Sequence, residues 1–208
     1  MTTAIGAYAT SSLVKSRLGI TDTTDDTVLG TICDQINQYI ETRTERVVAP
    51  ISSATYLYDG DGSRSLYLPI TADGQRIGGL RAITLMEVAA YTGGAYATLA
   101  STQFFLRQKI TVTGPFERLE FTDYPTGLYS CWPKGYATVR ITATAGWAAI
   151  PDDITELALT AATRAWHAVQ AGQSDIVGTD EMGRPLVSRF FSARDLETLN
   201  KYGVDIPA

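Results

Sequence analysis

Histidine is nearly absent from this chain and cysteine is scarce: His167 stands alone among 208 residues, and Cys33 and Cys131 are the two thiols. One histidine and two distant cysteines cannot assemble a zinc site of the usual ligand set, so no metal is expected. With no secretory leader ahead of them, and with Cys33 on a predicted helix, the cysteines read as reduced, semi-buried thiols rather than a disulfide. Basic charge is short as well. A formal net charge of −5 argues against a sequence-independent nucleic-acid binder, which needs a basic stripe to displace counterions. No apolar run reaches the ~20 residues needed to cross a bilayer. Met1-Thr-Thr-Ala-Ile-Gly6 lacks the basic start and apolar core of a signal peptide, so no membrane is expected and manufacture is expected inside the cell.

Catalytic motifs are missing too. No Gly-x-Ser-x-Gly elbow surrounds any serine, and His167, beside Trp166 on an alanine-rich helix, reads as a surface or packed residue. Asp59-Gly-Asp61-Gly-Ser63 opens like a calcium loop, but glycine is not at its sixth position and Ile70, not Glu, stands at the twelfth; a turn is the expectation. Gly60 and Gly62 are followed by no Gly-Lys-Ser/Thr, which excludes a phosphate loop. Asp25/Asp26 and Asp152/Asp153 sit at predicted helix starts, where the helix dipole accounts for them. No enzyme and no cofactor is expected. Tyr56, Tyr58, Tyr67, Tyr91 and Tyr96 could form a platform for carbohydrate or protein, although tyrosine is also a common strand residue.

What the chain does have is an ordered pattern of helix, sheet and helix, with an ordinary 45% apolar content. Ser11 or Ser12 can cap a short helix carrying Leu13, Val14, Arg17 and Leu18 up to Gly19. Asp25 or its neighbours start a longer helix with Val28, Leu29, Ile32, Cys33, Ile36, Tyr39 and Ile40 on its buried face and Arg43, Glu45 and Arg46 solvated at its end; Pro50 forbids continuation. Tyr56–Tyr58 and Leu66–Leu68 flank Asp59–Gly62 and read as a hairpin. Segments 80–90, 104–107, 110–112, 119–121 and 137–143 supply further strands, punctuated by Gly78-Gly79, Gly93-Gly94 and Gly114-Pro115. Six or seven strands can close a small sandwich or barrel.

The most informative stretch runs from Val139 to Glu156. Val139, Ile141 and Ala143 alternate with Arg140, Thr142 and Thr144, the period of a half-buried strand. Gly146 breaks it, Pro151 stands where a helix can begin, and Asp153 with Glu156 matches a capping box. Ile154, Leu157, Ala158, Ala161, Ala165, Ala168 and Val169 then recur at helical steps until Gly172. A face of alanines lets neighbours approach closely, which suits a tight bundle or a subunit interface; Leu157, Ala161, Ala165 and Ala168 are the candidate subunit-packing residues. Beyond Ser174 the pattern dissolves, with isolated apolar residues Val187, Phe190, Phe191, Leu196, Leu199 and Tyr202. Ser192 can cap a short helix there. The tail either folds back on its own domain or orders against a partner.

Taken in order, Leu13–Ile20, Asp25-Asp26, Ile36–Thr44, Tyr56–Gly62, Leu66–Pro69, Ala145-Gly-Trp147-Ala-Ala-Ile-Pro151-Asp-Asp-Ile154, Ser188–Phe190 and Asp195–Tyr202 resemble the head–tail connector proteins of long-tailed bacteriophages, also called adaptor or head-completion proteins. The region from Gly74 to Gly135 is longer than the minimal helical members carry. The resemblance implies an α+β fold: a small bundle of N- and C-terminal helices, an inserted antiparallel β-sheet or sandwich, and an extended C-terminal arm. It divides the chain into a helix pair (1–52), the β region (53–145), a third helix packing on that pair (146–173) and the arm (174–208). It implies a structural virion protein of the neck, made in the host cytoplasm, with no enzymatic role. Such proteins form a ring, usually a dodecamer, on the portal protein ring, meet a downstream stopper or tail-completion protein, and carry the DNA channel without binding DNA specifically. The portal-binding arm would use Phe190, Phe191, Leu196, Leu199 and Tyr202 as anchors. A carbohydrate- or protein-binding module built on the tyrosine-rich β region is the alternative.

Overall fold

The computed structural model describes residues 7–108, 114–122, 129–171 and 190–203. The chain divides into two compact units, one drawn from residues 45–149 and one from residues 4–44 and 150–208. The class is α+β, with four helices and a curled antiparallel sheet of seven strands among the described residues.

The helical unit holds α1 (Ser11–Leu18), α2 (Asp26–Thr44), α3 (Asp152–Gln170) and α4 (Ala193–Tyr202). Thr10, rather than Ser11 or Ser12, caps α1: its hydroxyl accepts from the Leu13 amide at 3.3 Å. Gly19 ends that helix in the left-handed region, φ 70°, as its position predicts. On α2 the residues Leu29, Ile32, Cys33, Ile36 and Ile40 are buried, with Asn37 among them. Asn37 is satisfied on both sides, accepting from the Ala9 amide at 2.8 Å and donating to the Ala9 carbonyl at 2.9 Å. That clamp ties the chain ahead of α1 to the middle of α2. Val28, expected inside, is 41% exposed, because the apolar stripe is centred on the 29–33–36–40 line one position further round.

Pro151 itself occupies the N-cap of α3 and supplies no side-chain hydrogen bond. The capping box expected from Asp153 and Glu156 is not formed. Asp153 accepts from the neighbouring Ile154 amide at 2.9 Å, and Glu156 is engaged by Arg17 of α1 through two bonds of 2.7 and 2.9 Å. A bidentate guanidinium offers the carboxylate more than one distant backbone amide.

The β unit contains β1 (Ile51–Gly60), β2 (Ser65–Tyr67), β3 (Leu80–Ala89), β4 (Tyr96–Thr98), β5 (Phe104–Gln108), β6 (Phe116–Phe121) and β7 (Gly135–Ala145). The strand order is β1-β7-β3-β6-β2, with β4 on β3 and β5 on β6. β1 and β2 therefore lie at opposite ends of the order, although only residues 61–64 join them. The expected hairpin is not one. The Gly62 amide bonds the Trp132 carbonyl at 3.0 Å and the Trp132 amide bonds the Ser63 carbonyl at 2.8 Å, so the link between β1 and β2 is bonded to the segment just ahead of β7, and β1 and β2 are not paired with each other. The chain therefore leaves a strand paired with β7 and enters one paired with β6. Joining the two ends of the order makes the sheet curl round its own core. Tyr56, Tyr58, Leu66, Leu80, Met86, Leu119, Trp132, Val139 and Ile141 fill that core, with the Phe121 and Trp132 rings 4.4 Å apart. The strand expected at 110–112 lies outside the described residues, and β4 was not foreseen because Tyr96–Thr98 is too short to show a period.

Gly146 follows β7 with φ 68°. A Cβ there would stand 2.1 Å from the Ala49 carbonyl oxygen, so both backbone conformation and space demand glycine. Arg46, expected to be solvated at the end of α2, is instead 1% exposed. It belongs to the β unit, where its guanidinium bonds Glu117 at 2.8 Å and lies 5.5 Å from the Trp147 ring centroid.

Candidate functional site

The residues singled out for assembly all fall in the helical unit. On α3, Leu157, Ala161 and Ala165 are buried and Ala168 is half-buried. They face the chain's own helices, since α3 packs against α1, α2 and α4. Ala158 and Ala162 are buried with them. Small side chains let three helices close on one, which is the tight-bundle use of such a face.

The C-terminal helix is set by local chemistry. Ser192 caps it as its sequence position suggests: its hydroxyl accepts from the Asp195 amide at 3.2 Å, and the Asp195 carboxylate accepts from the Ser192 amide at 2.7 Å. This reciprocal pair is the box that α3 lacks. Arg164 of α3 then reaches across, donating to the Phe190 carbonyl at 2.9 Å and to the Asp195 carboxylate at 3.0 Å. At the other end of α4 the Tyr202 hydroxyl donates to both oxygens of Asp153, at 2.8 and 3.0 Å. Between these polar ties Phe191 stacks on Tyr39 of α2, ring centroids 4.5 Å apart and planes 18° from parallel, and Leu199 is fully buried.

The five arm residues therefore divide. Phe191 and Leu199 are buried within their own unit and Tyr202 is hydrogen-bonded there, while Phe190 and Leu196 remain half-buried. Tyr39 was expected on the buried face of α2 and Asp153 in a capping box, but that these two and Arg164 hold α4 is not written in the sequence. Ser192, with Leu196 and Leu199 behind it, was the legible sign that a helix stands here; nothing in sequence spacing ties Arg164 to Asp195.

The titrations follow from these partners. Burial acts to raise Asp195, but hydrogen bonds from the Ser192 amide and hydroxyl and from Arg164 outweigh it and leave the carboxyl below its ordinary value. Tyr202 is pushed well up by burial, by donating to Asp153 and by the charge of that carboxylate. Glu156 is lowered, first by its hydrogen bond from Arg17.

The tyrosines do not share an open face. Tyr56 and Tyr58 are core residues, Tyr67 and Tyr96 are half-buried, and Tyr91 alone of the five is exposed. The Asp59 and Asp61 carboxylates accept from the Ala137 and Ser63 amides, both at 2.7 Å, as a turn requires. His167 is exposed on α3. Among the described residues no group of three or more His, Cys, Asp or Glu is placed to hold a metal ion, and no helix is long and apolar enough to cross a membrane.

No protein-family model matches the sequence, and no curated protein matches it. Among solved structures, the chain is similar to one in a structure described as "Neck of empty GTA particle computed with C6 symmetry". The TM-score is 0.53 at 15% identity, and the match covers 99% of this chain and 95% of that one. At that identity the likeness is one of fold, and it extends over nearly the full length of both chains.

Proposed function

We propose that this chain is a structural component of the neck of a phage-like particle, specifically an adaptor that forms a ring on the portal and continues the DNA channel toward the tail. The observation that carries the reading is the full-length likeness of fold to a chain from a GTA particle neck. The order of connector-like segments along the sequence supports it independently. A net charge of −5 suits a conduit through which DNA slides, because an acidic wall does not grip phosphates.

In this reading the role is mechanical, with no catalytic residue and no cofactor. The partners are other copies in a ring, twelve in the usual member of the family, the portal on one side and a stopper or tail-completion protein on the other. Of the arm residues, Phe190 and Leu196, half-buried on α4's segment, offer apolar surface for the portal. Phe191, Leu199 and Tyr202 serve the portal contact by holding α4 in place.

The test is the mass of the full chain by light scattering, with electron microscopy of the same sample, alone and mixed with portal rings of its own particle. A ring seated on the portal, weakened by the double substitution Phe190→Ser and Leu196→Ser, is the expected result. A chain that leaves the portal bare and stays small would overturn it.

A further inference from the structure

The curled sheet is not closed all the way round. β3 pairs with β7 along most of its length, but its opposite edge meets β6 at Leu80 alone and β4 from Glu87 to Ala89. Between these points, residues 81–85 have a strand on one side and none on the other among the described residues. β5 is in the same position, paired with β6 alone. Two register shifts against β7, between Leu80 and Ala82 and between Ile83 and Leu85, fall in this stretch of β3. Shifts of that kind bend a strand, which fits its parting from β6 after one residue pair.

A slot of about 440 Å³ lies at this edge, and residues 81–86 of β3 all line it. Successive side chains of a strand point to opposite faces, so a slot touched by every residue in turn runs along the edge rather than over one face. Ile83, Leu85, Leu99, Phe104 and Leu106 make its lining largely apolar, and Leu85 is left 40% exposed. The stretch carries none of the proline or lysine that commonly blunts a strand edge. Arg81 is the one charged residue of the lining. It is half-buried and has no ion-pair or hydrogen-bond partner among the described residues, whereas Arg107 and Arg140 of the same unit each hold a glutamate. A guanidinium in that setting is best matched by a carboxylate.

We propose that this slot is a strand-addition site for an extended segment of a partner protein, one with apolar side chains at alternate positions and a carboxylate opposite Arg81. Main-chain bonds to residues 81–85 hold the segment, Leu85, Phe104 and Leu106 receive its apolar side chains, and Arg81 fixes its register. About five residues pair, an ordinary length for a strand. The slot lies wholly within the β unit and needs neither a ring nor the portal, so it stands or falls apart from the functional reading.

The experiment titrates the full chain with the synthetic peptide acetyl-Ser-Val-Glu-Val-Thr-Val-Ser-amide, up to millimolar concentration, and follows the backbone amides of the protein by NMR. The expected result is a set of saturable shifts centred on residues 81–86 and 104–106. N-methylation of every second peptide residue, in one register or the other, should weaken binding at least about tenfold, because it removes the ladder donors. Gln in place of the peptide's Glu should weaken binding to the native chain by a similar factor, about tenfold, and should make no difference to Arg81→Gln. Arg81→Glu should reject the original peptide and accept one with Lys in place of Glu, a rescue that a merely structural role for Arg81 would not produce. The proposal is overturned if millimolar peptide moves no amide of residues 81–86, if binding is indifferent to N-methylation in both registers, or if Arg81→Gln leaves the Glu-to-Gln difference intact. If dilution of the protein alone moves the same amides and the peptide cannot compete, a second copy fills the slot and the assigned occupant is wrong.

Discussion

Arg46 and Glu117 form an ion pair of 2.8 Å with 1% and 7% of their side chains exposed, far inside the limits of an ordinary surface pair. Trp147 lies over the guanidinium, so the charge is held between a carboxylate and a ring face. Removing one member takes the counter-charge of this pair away from a buried group. Glu117→Ala is expected to cost about 3–5 kcal/mol of the stability of the β unit. Replacing both residues together, as Arg46→Met with Glu117→Leu, is expected to recover most of that loss. Urea unfolding of the three chains checks it; equal stability for Glu117→Ala and the native chain would contradict the buried pair.

Two glycines should respond in opposite ways. Gly146→Ala forces a side chain onto the Ala49 carbonyl at a positive φ, and a loss of at least about 1–3 kcal/mol is expected from backbone strain alone. Gly30 lies inside α2, and a Cβ there meets nothing within 4 Å. Gly30→Ala should stabilise by up to about 1 kcal/mol, since alanine loses less backbone freedom in a helix. Thermal melts of the two variants, run side by side, decide the point.

The attachment of α4 should depend on pH at both extremes. Asp195 is held below its ordinary value of 3.8, so its contribution is present above that pH and is lost as pH falls through the depressed folded value. Tyr202 is held above its ordinary value of 10.0, so its contribution is present below that pH and is lost as pH rises beyond it. Protection of the amides of residues 193–202, that is, exchange relative to the intrinsic rate at each pH, should be greatest between these limits. Asp195→Asn should flatten the acid limb and Tyr202→Phe the alkaline one. An unchanged profile in either variant would show that the named group does not govern that limb.

If the chain has the proposed role, His167→Ala should leave folding and assembly on the portal unchanged, because the imidazole is exposed and its backbone carbonyl, which accepts from the Ala171 amide at 3.0 Å, survives the change. Light scattering of the variant with portal rings checks this. A loss of assembly would move attention to the exposed side of α3.

The helices were legible because their signals are local. Gly19, the 29–33–36–40 stripe and Ser192 each act within a few residues, and each does what its position suggests. The strands were legible as segments for the same reason, since Val139, Ile141 and Ala143 alternate with outward residues. Pairing was not. Asp59–Gly62 has the composition of a reversing turn, and only the distant Trp132, bonding at 2.8 and 3.0 Å, reveals a bend. Arg46 misled for a related reason: a charged residue at a helix end reads as solvated until the carboxylate that neutralises it arrives from residue 117. The candidate site was half readable. Phe191 and Leu199 stand out as apolar residues in a polar tail, but Tyr39 and Arg164, which receive that tail, look like any residue of an amphipathic helix.

The pairing of Ile51 with Ala145 has a bearing on synthesis. The first strand of the β unit finds its partner in the last one, so the curled sheet cannot begin to close from that edge until most of the chain has left the ribosome. The helical unit waits longer still, because α2 needs α3 and α4. Pairings so remote in sequence are slow to form and leave apolar surface open meanwhile. Truncated or stalled products should therefore be the aggregating fraction in any expression culture, and slower translation near residues 150–200 should raise the soluble yield.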